Sequence, residues 1–105
     1  MKFVLSQYFL GKIKYLRKHF PKIEADFKDF ETNFLLEEWK HLWKSIYKFR
    51  MKNSSIPTGK SGWFRIIIYA LIQEEKVFPI IIYSKTHQEN ITFEEILESL
   101  KKTLS

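Results

Sequence analysis

One arginine stands where an apolar residue is expected. Arg65 interrupts the run "WFRIIIYALI" in a chain of 105 residues that uses only three arginines and otherwise carries its positive charge on lysine. A guanidinium is planar, stays protonated and can meet two phosphate oxygens at once, so it suits a phosphoryl transition state. The plainer use is pairing with a distant carboxylate at the mouth of a strand. Tyr83 and Lys85 stand two residues apart at the end of "VFPIIIYSK", so in extended chain they point to one side. There a phenol can stack on a base or bond a phosphate. The ammonium can move a proton if neighbouring cations lower its pKa. Rim packing of the tyrosine and a snorkelling lysine are the structural alternatives.

A second group lies upstream. The segment "YKFRMK" alternates strictly, with Tyr47, Phe49 and Met51 on one side and Lys48, Arg50 and Lys52 on the other. That is a strand with one face in a core and one cationic face. Lys48, Arg50 and Lys52 are therefore candidates for contact with nucleic-acid phosphate. Lys60 sits on a glycine-containing loop that can close over a substrate. Trp63 offers a stacking surface for a flipped base, though a half-buried core indole explains it as well. His87 follows Lys85 in a polar turn and can assist proton transfer, or be an incidental surface histidine. Trp39 and Trp43, four apart, read as core.

Other chemistries are not suggested. The three histidines, His19, His41 and His87, are scattered, and no carboxylate cluster lies near the basic strand, so neither a metal nor any other cofactor is expected. Cysteine is absent, which removes disulfides and thiolate chemistry. "GKS" at Gly59–Ser61 invites comparison with a phosphate-binding P-loop. That motif needs a glycine where this chain has Ser54, and a helix after the loop. The β-branched run after Ser61 predicts a strand, leaving no helix N-terminus to receive a phosphate.

The formal charge is +6. Lysine, isoleucine and phenylalanine dominate, as an AT-rich genome would encode, so the total says little. Its distribution says more. From Lys40 to Gln73 there are seven basic residues and no Asp or Glu, while the twelve acids lie at Glu24–Glu38 and from Glu74 onward. Codon bias raises lysine everywhere but does not expel carboxylates from one window, so the middle of the chain is an anion-facing region. The apolar run in "MKFVLSQYFLGK" is too short for a signal peptide, and no stretch is long enough for a membrane span. A cytoplasmic protein without membrane contact is the expectation.

The elements that must position these side chains follow from periodicity. A short strand near Phe3–Ser6 precedes apolar residues at Phe9, Ile13, Leu16 and Phe20, and a second helical set at Ile23, Phe27, Phe30 and Phe34 follows Pro21. These predict a helical hairpin with solvated charged faces. The basic strand comes next, then "WFRIIIYALI" and "VFPIIIYSK" joined by the polar turn Gln73–Lys76. Pro79, lacking an amide hydrogen, suggests that its strand starts late or lies at a sheet edge. Thr92 and Glu95 form a capping box, and Phe93, Ile96, Leu97, Leu100 and Leu104 trace a stripe expected to cover the core. The sum is one α+β domain over residues 1–105, a small antiparallel sheet in the order β-α-α-β-β-β-α.

The pieces "YKFRM", "GKSGWFRIIIY" and "IIIYSKTHQENIT", in this order and followed by an amphipathic helix, resemble the RelE/HigB-like toxins of type II toxin–antitoxin pairs. The resemblance covers Lys44–Leu104; many relatives carry a glycine pair where this chain has Gly62-Trp63. It implies a RelE-like fold and metal-independent cleavage of messenger RNA in the ribosomal A site. It also implies transition-state stabilisation by Arg65 and a cognate antitoxin, with operator DNA reached only through the antitoxin complex. Cleavage of that kind asks for activation of a ribose 2′-hydroxyl, stabilisation of phosphorane charge and protonation of the leaving 5′-oxygen. Two other classes stay open: a ParE-like relative that binds DNA gyrase without cutting RNA, and a plain nucleic-acid-binding module.

Overall fold

A computed structural model describes residues 1–35, 40–57, 59–85 and 90–105. Strand β1 (Lys2–Phe3) leads into helix α1 (Gln7–Leu16) and helix α2 (Ile23–Thr32). Strands β2 (Lys40–Trp43), β3 (Ile46–Met51), β4 (Phe64–Leu71) and β5 (Lys76–Ser84) follow, and helix α3 (Phe93–Leu104) ends the chain. The class is α+β, as expected, with the helical hairpin and the C-terminal helix in their predicted places.

Local chemistry sets the boundaries. Ser6, expected in a strand, instead caps α1 by accepting a hydrogen bond from the Phe9 amide at 3.0 Å. The hairpin is tied across its turn by Arg17 and Glu24 at 3.0 Å, an exposed pair of small energetic weight. Thr92 and Glu95 make both bonds of the capping box that starts α3. The turn after β4 is a short 3₁₀ segment over Ile72–Glu74, closed by Glu75 in the left-handed region.

The sheet departs from expectation in two respects. It has five strands in the order β1-β5-β4-β3-β2 and is mixed, because β1 runs parallel to β5 while the other pairs are antiparallel. The additional strand is β2, which pairs with β3 through Lys40–Lys48, His41–Tyr47 and Trp43–Ile46. Pro79 does not delay its strand, which starts at Lys76, but it does lie where β5 becomes the sheet edge, since β1 pairs no further than Val77. It is buried inside β5, at a bulge where Ile67 opposes Ile81 and Ile68 opposes Pro79, just past the end of β1.

The two faces of the sheet are covered unequally. On one, Tyr47, Phe49, Met51, Phe64, Ile66 and Ile68 meet Phe9, Ile13, Ile23 and Phe27 of the hairpin in the main core. Rings interlock there, with Phe20 on Phe64 at 5.1 Å and Phe9 on Phe27 at 5.4 Å. On the other face a smaller cluster of Ile46, Ile67, Ile80, Ile81 and Tyr83 receives Ile96 and Leu100 of α3. The α3 stripe covers the core only in part, since Phe93, Leu97 and Leu104 remain exposed.

Candidate nucleic-acid interface

Strand register turns the sequence alternation into a surface. With Phe49 and Met51 committed to the main core, Lys48 and Arg50 must stand on the opposite face; Arg65, between buried Phe64 and Ile66, stands there too. Pairing then sets Arg50 opposite Arg65 and Arg65 opposite Tyr83, while Lys40 lies opposite Lys48. Like charges placed opposite in a ladder oppose the pairing by up to about 1 kcal/mol each. The core on the reverse face holds them together regardless. Lys48, Arg50 and Arg65 enter no ion pair among the described residues; those seen are Arg17–Glu24, Lys76–Glu74 and Lys102–Glu98.

A groove of about 720 Å³ runs beside this surface and is lined by Lys48, Arg50, Arg65 and Lys85, with Lys40 and Lys52 at the same wall. The loop after β3 adds Lys60 and half-buried Trp63, the Lys60 ammonium lying 5.9 Å from the indole centroid. Arg65 is 7% exposed, and its Nη1 donates to the Trp63 carbonyl at 2.8 Å. That bond fixes the guanidinium plane at the groove and couples it to the loop.

The opposite wall carries Asp26, Asp29 and Asn33 from α2. Sequence spacing placed these acids on a solvated helix face, whereas Asp26 is buried. Its carboxylate accepts from the Ser54 amide at 2.8 Å and the Ser54 hydroxyl at 2.6 Å, pinning the loop to α2. Asp29 accepts from Asn33 Nδ2 at 3.1 Å. These carboxylates are engaged locally, and among the described residues neither forms an ion pair with Lys48, Arg50 or Arg65 across the groove.

Crowding of cations alters their chemistry. The Lys48 ammonium is held below its ordinary pKa, first by burial and then by Arg65, Lys40 and Arg50. Burial and then Arg50 pull Arg65 down as well, although a guanidinium stays protonated. Burial pushes the Tyr83 phenol up, against the opposing pull of Lys85 and Arg65, so it remains a neutral O–H.

The structure thus brings together Arg65, Lys85, Lys48, Arg50, Lys52, Lys60 and Trp63. Tyr83 stands cross-strand from Arg65 and within electrostatic reach of Arg65 and Lys85, but it does not line the groove. It shares the sheet face and register row of Arg65, but β5 is one strand further out, and its ring lines a separate cavity of about 110 Å³ with Tyr8 and Ser99. Tyr83 is 5% exposed, and its hydroxyl has no hydrogen-bond partner among the described residues. His87 and Trp39 lie outside the described residues. Trp43, expected in the core, is 43% exposed and packs against Phe93 in a tilted arrangement with ring centroids 5.0 Å apart. Sequence reasoning missed the pairing of Lys40 with Lys48, which needs β2, a strand of four residues that is too short to show its period. Compared with protein-family models and with curated proteins, the chain matches none.

Proposed function

We propose that this protein is a toxin of the RelE/HigB type, a metal-independent endoribonuclease that cuts messenger RNA on the ribosome and is neutralised by a cognate antitoxin. The observation that carries the reading is the register-matched pair Arg50–Arg65 with Lys48 beside it, unneutralised at the wall of a groove of nucleotide size. Lys48, its proton loosened by its neighbours, takes the proton of the ribose 2′-hydroxyl. The 2′-oxygen attacks phosphorus, Arg65 and Arg50 hold the non-bridging oxygens as charge grows on them, and the 5′-oxygen leaves with a proton from Lys85. The products are a 2′,3′-cyclic phosphate and a 5′-hydroxyl. Lys60 and Trp63 sit on the loop able to lie over the chain being cut, which continues past the site along Lys52 and Lys40.

The sequence left base and acid unassigned between the cations; Lys48 is taken as the base because burial and three neighbouring cations loosen its proton. Tyr83, enclosed with its proton retained, takes no part in proton transfer in this arrangement. Primer extension on messenger RNA after induction tests the reading. Cuts within translated codons, absent for Arg65→Ala, are expected. Growth arrest with intact messages and gyrase-linked DNA breaks would assign the chain to the ParE-like class instead.

A further inference from the structure

We propose that the α2 wall of the cationic groove reads the base of a bound nucleotide and selects guanine, Asp29 accepting the two adjacent N–H groups of its Watson–Crick edge. Guanine selection presupposes that the groove holds RNA, the reading proposed above, and adds to it which nucleotide is taken. The two walls differ in chemistry. The sheet wall offers Lys48, Arg50 and Arg65, whose side chains are donors only. The facing wall is the end of α2, where Asp29 and Asn33 stand four residues apart on one side of the helix. A nucleotide is two-sided in the same sense: with its phosphate on the cations, its base lies toward α2.

Hydrogen bonding fixes what the α2 wall presents. Asn33 Nδ2 turns back on the helix, donating to the Asp29 carbonyl at 3.0 Å and to Asp29 Oδ1 at 3.1 Å. Its amide hydrogens are used there, which leaves Asn33 Oδ1 and Asp29 Oδ2 as open acceptors among the described residues. Asp29 enters no ion pair among those residues. Both side chains are exposed, so a ligand reaches them without rearrangement. Helix α2 ends at Thr32, and the carbonyls of its last turn add partial negative charge. This wall attracts donors and repels phosphate. Asp26 takes no part, since both of its oxygens are held by Ser54.

An acceptor-only wall discriminates among bases. Guanine alone carries two neighbouring donors, N1–H and N2–H, which one carboxylate accepts together. Adenine and cytosine set an amino group beside a bare ring nitrogen, and uracil sets its single N–H between two carbonyls. Each of these three brings an acceptor against Asp29, so a hydrogen bond is lost and the carboxylate is repelled. The half-buried rings of Phe30 and Phe34 lie on the same wall and give the base an apolar flank. The groove, about 720 Å³, falls within the roughly 300–1,000 Å³ usual for sites that take a molecule of this size.

The test is fluorescence anisotropy of the full chain with labelled hexamers of 2′-fluoro-uridine, which cannot be cut, carrying one central guanine, adenine, cytosine or inosine. The guanine hexamer should bind about tenfold or more tightly than the others, inosine included because it lacks the N2 amino group. Asp29→Asn should bring guanine within about twofold of adenine, with an unchanged melting temperature. Should that variant melt early, Asp29→Ala, with the better helix former, serves in its place. Arg65→Ala should weaken every hexamer alike and keep the preference for guanine, which separates base reading from phosphate binding. Equal binding of all hexamers, inosine binding as tightly as guanine, or a preference that Asp29→Asn leaves intact would overturn guanine selection and leave the groove an RNA site. Binding of no hexamer at low salt would overturn both.

Discussion

Lys48 is the side chain whose state depends most on its neighbours. Burial and three surrounding cations favour its neutral form, so the folded chain holds its proton less tightly than the unfolded chain. If it is the base, kcat/KM rises with pH while Lys48 is protonated and levels above its pKa, which lies below the usual 10.5. The stability sign follows from the same shift. A lysine lowered in the fold costs stability while protonated, and the cost is relieved as pH climbs from its folded value toward 10.5. Lys48→Met should therefore remove the pH-dependent limb of cleavage while leaving the melting temperature at pH 7 equal or higher. Arg65→Ala should lower cleavage by about 10²–10³-fold, as loss of a preorganised charge at a developing anion does. Single-turnover rates measure both. Arg65, Lys48 and Arg50 were legible in the sequence because alternation and the missing acids mark them directly. Tyr83 was not, because spacing shows which face a side chain leaves from but not where a long ring ends.

Among the elements, the link between α2 and the loop after β3 carries the functional weight. Asp26 holds Ser54 through two bonds, and the same loop goes on to present Lys60 and Trp63. Asp26→Ala should cost about 1–3 kcal/mol in urea denaturation, because the part-buried Ser54 amide and hydroxyl both lose their acceptor. Amide exchange should accelerate around residues 53–57 before it does in β4. Deeper in the core, Phe64→Ala should cost about 3–5 kcal/mol, since that ring is fully buried against Phe20. Both hairpin helices and the capped α3 announce themselves through 3.6-residue periodicity and caps. The short strands do not. β1 has two residues and β2 has four, and the parallel pairing of β1 with β5 joins segments more than seventy positions apart. The apolar stripe of α3 was visible as a stripe, but a stripe records amphipathicity and not how much of it finds a partner.

For the whole molecule, the decisive property is the division of one sheet face into a cationic part and an apolar part. Helices α1 and α2 bury the reverse face, and α3 covers only some of this one, so Arg50 is exposed and Lys48 and Lys85 partly so, while Arg65 is largely buried at the groove wall. Affinity for single-stranded RNA should fall steeply with salt. Four phosphate contacts from Lys48, Arg50, Arg65 and Lys85 correspond to a slope of about −3 in log K against log salt, and Arg50→Ala should reduce it by about 0.7. The net charge of +6 was legible at once, but its meaning came from the gap in carboxylates, which folding turns into one wall of a groove.

Incubating the purified protein with messenger-programmed ribosomes, and mapping the ends of any fragments, tests the central claim most directly. The expected result is cleavage within the A-site codon, leaving a 2′,3′-cyclic phosphate and a 5′-hydroxyl, and lost with Arg65→Ala. Intact message at every time point, or cutting that Arg65→Ala leaves unchanged, would contradict it.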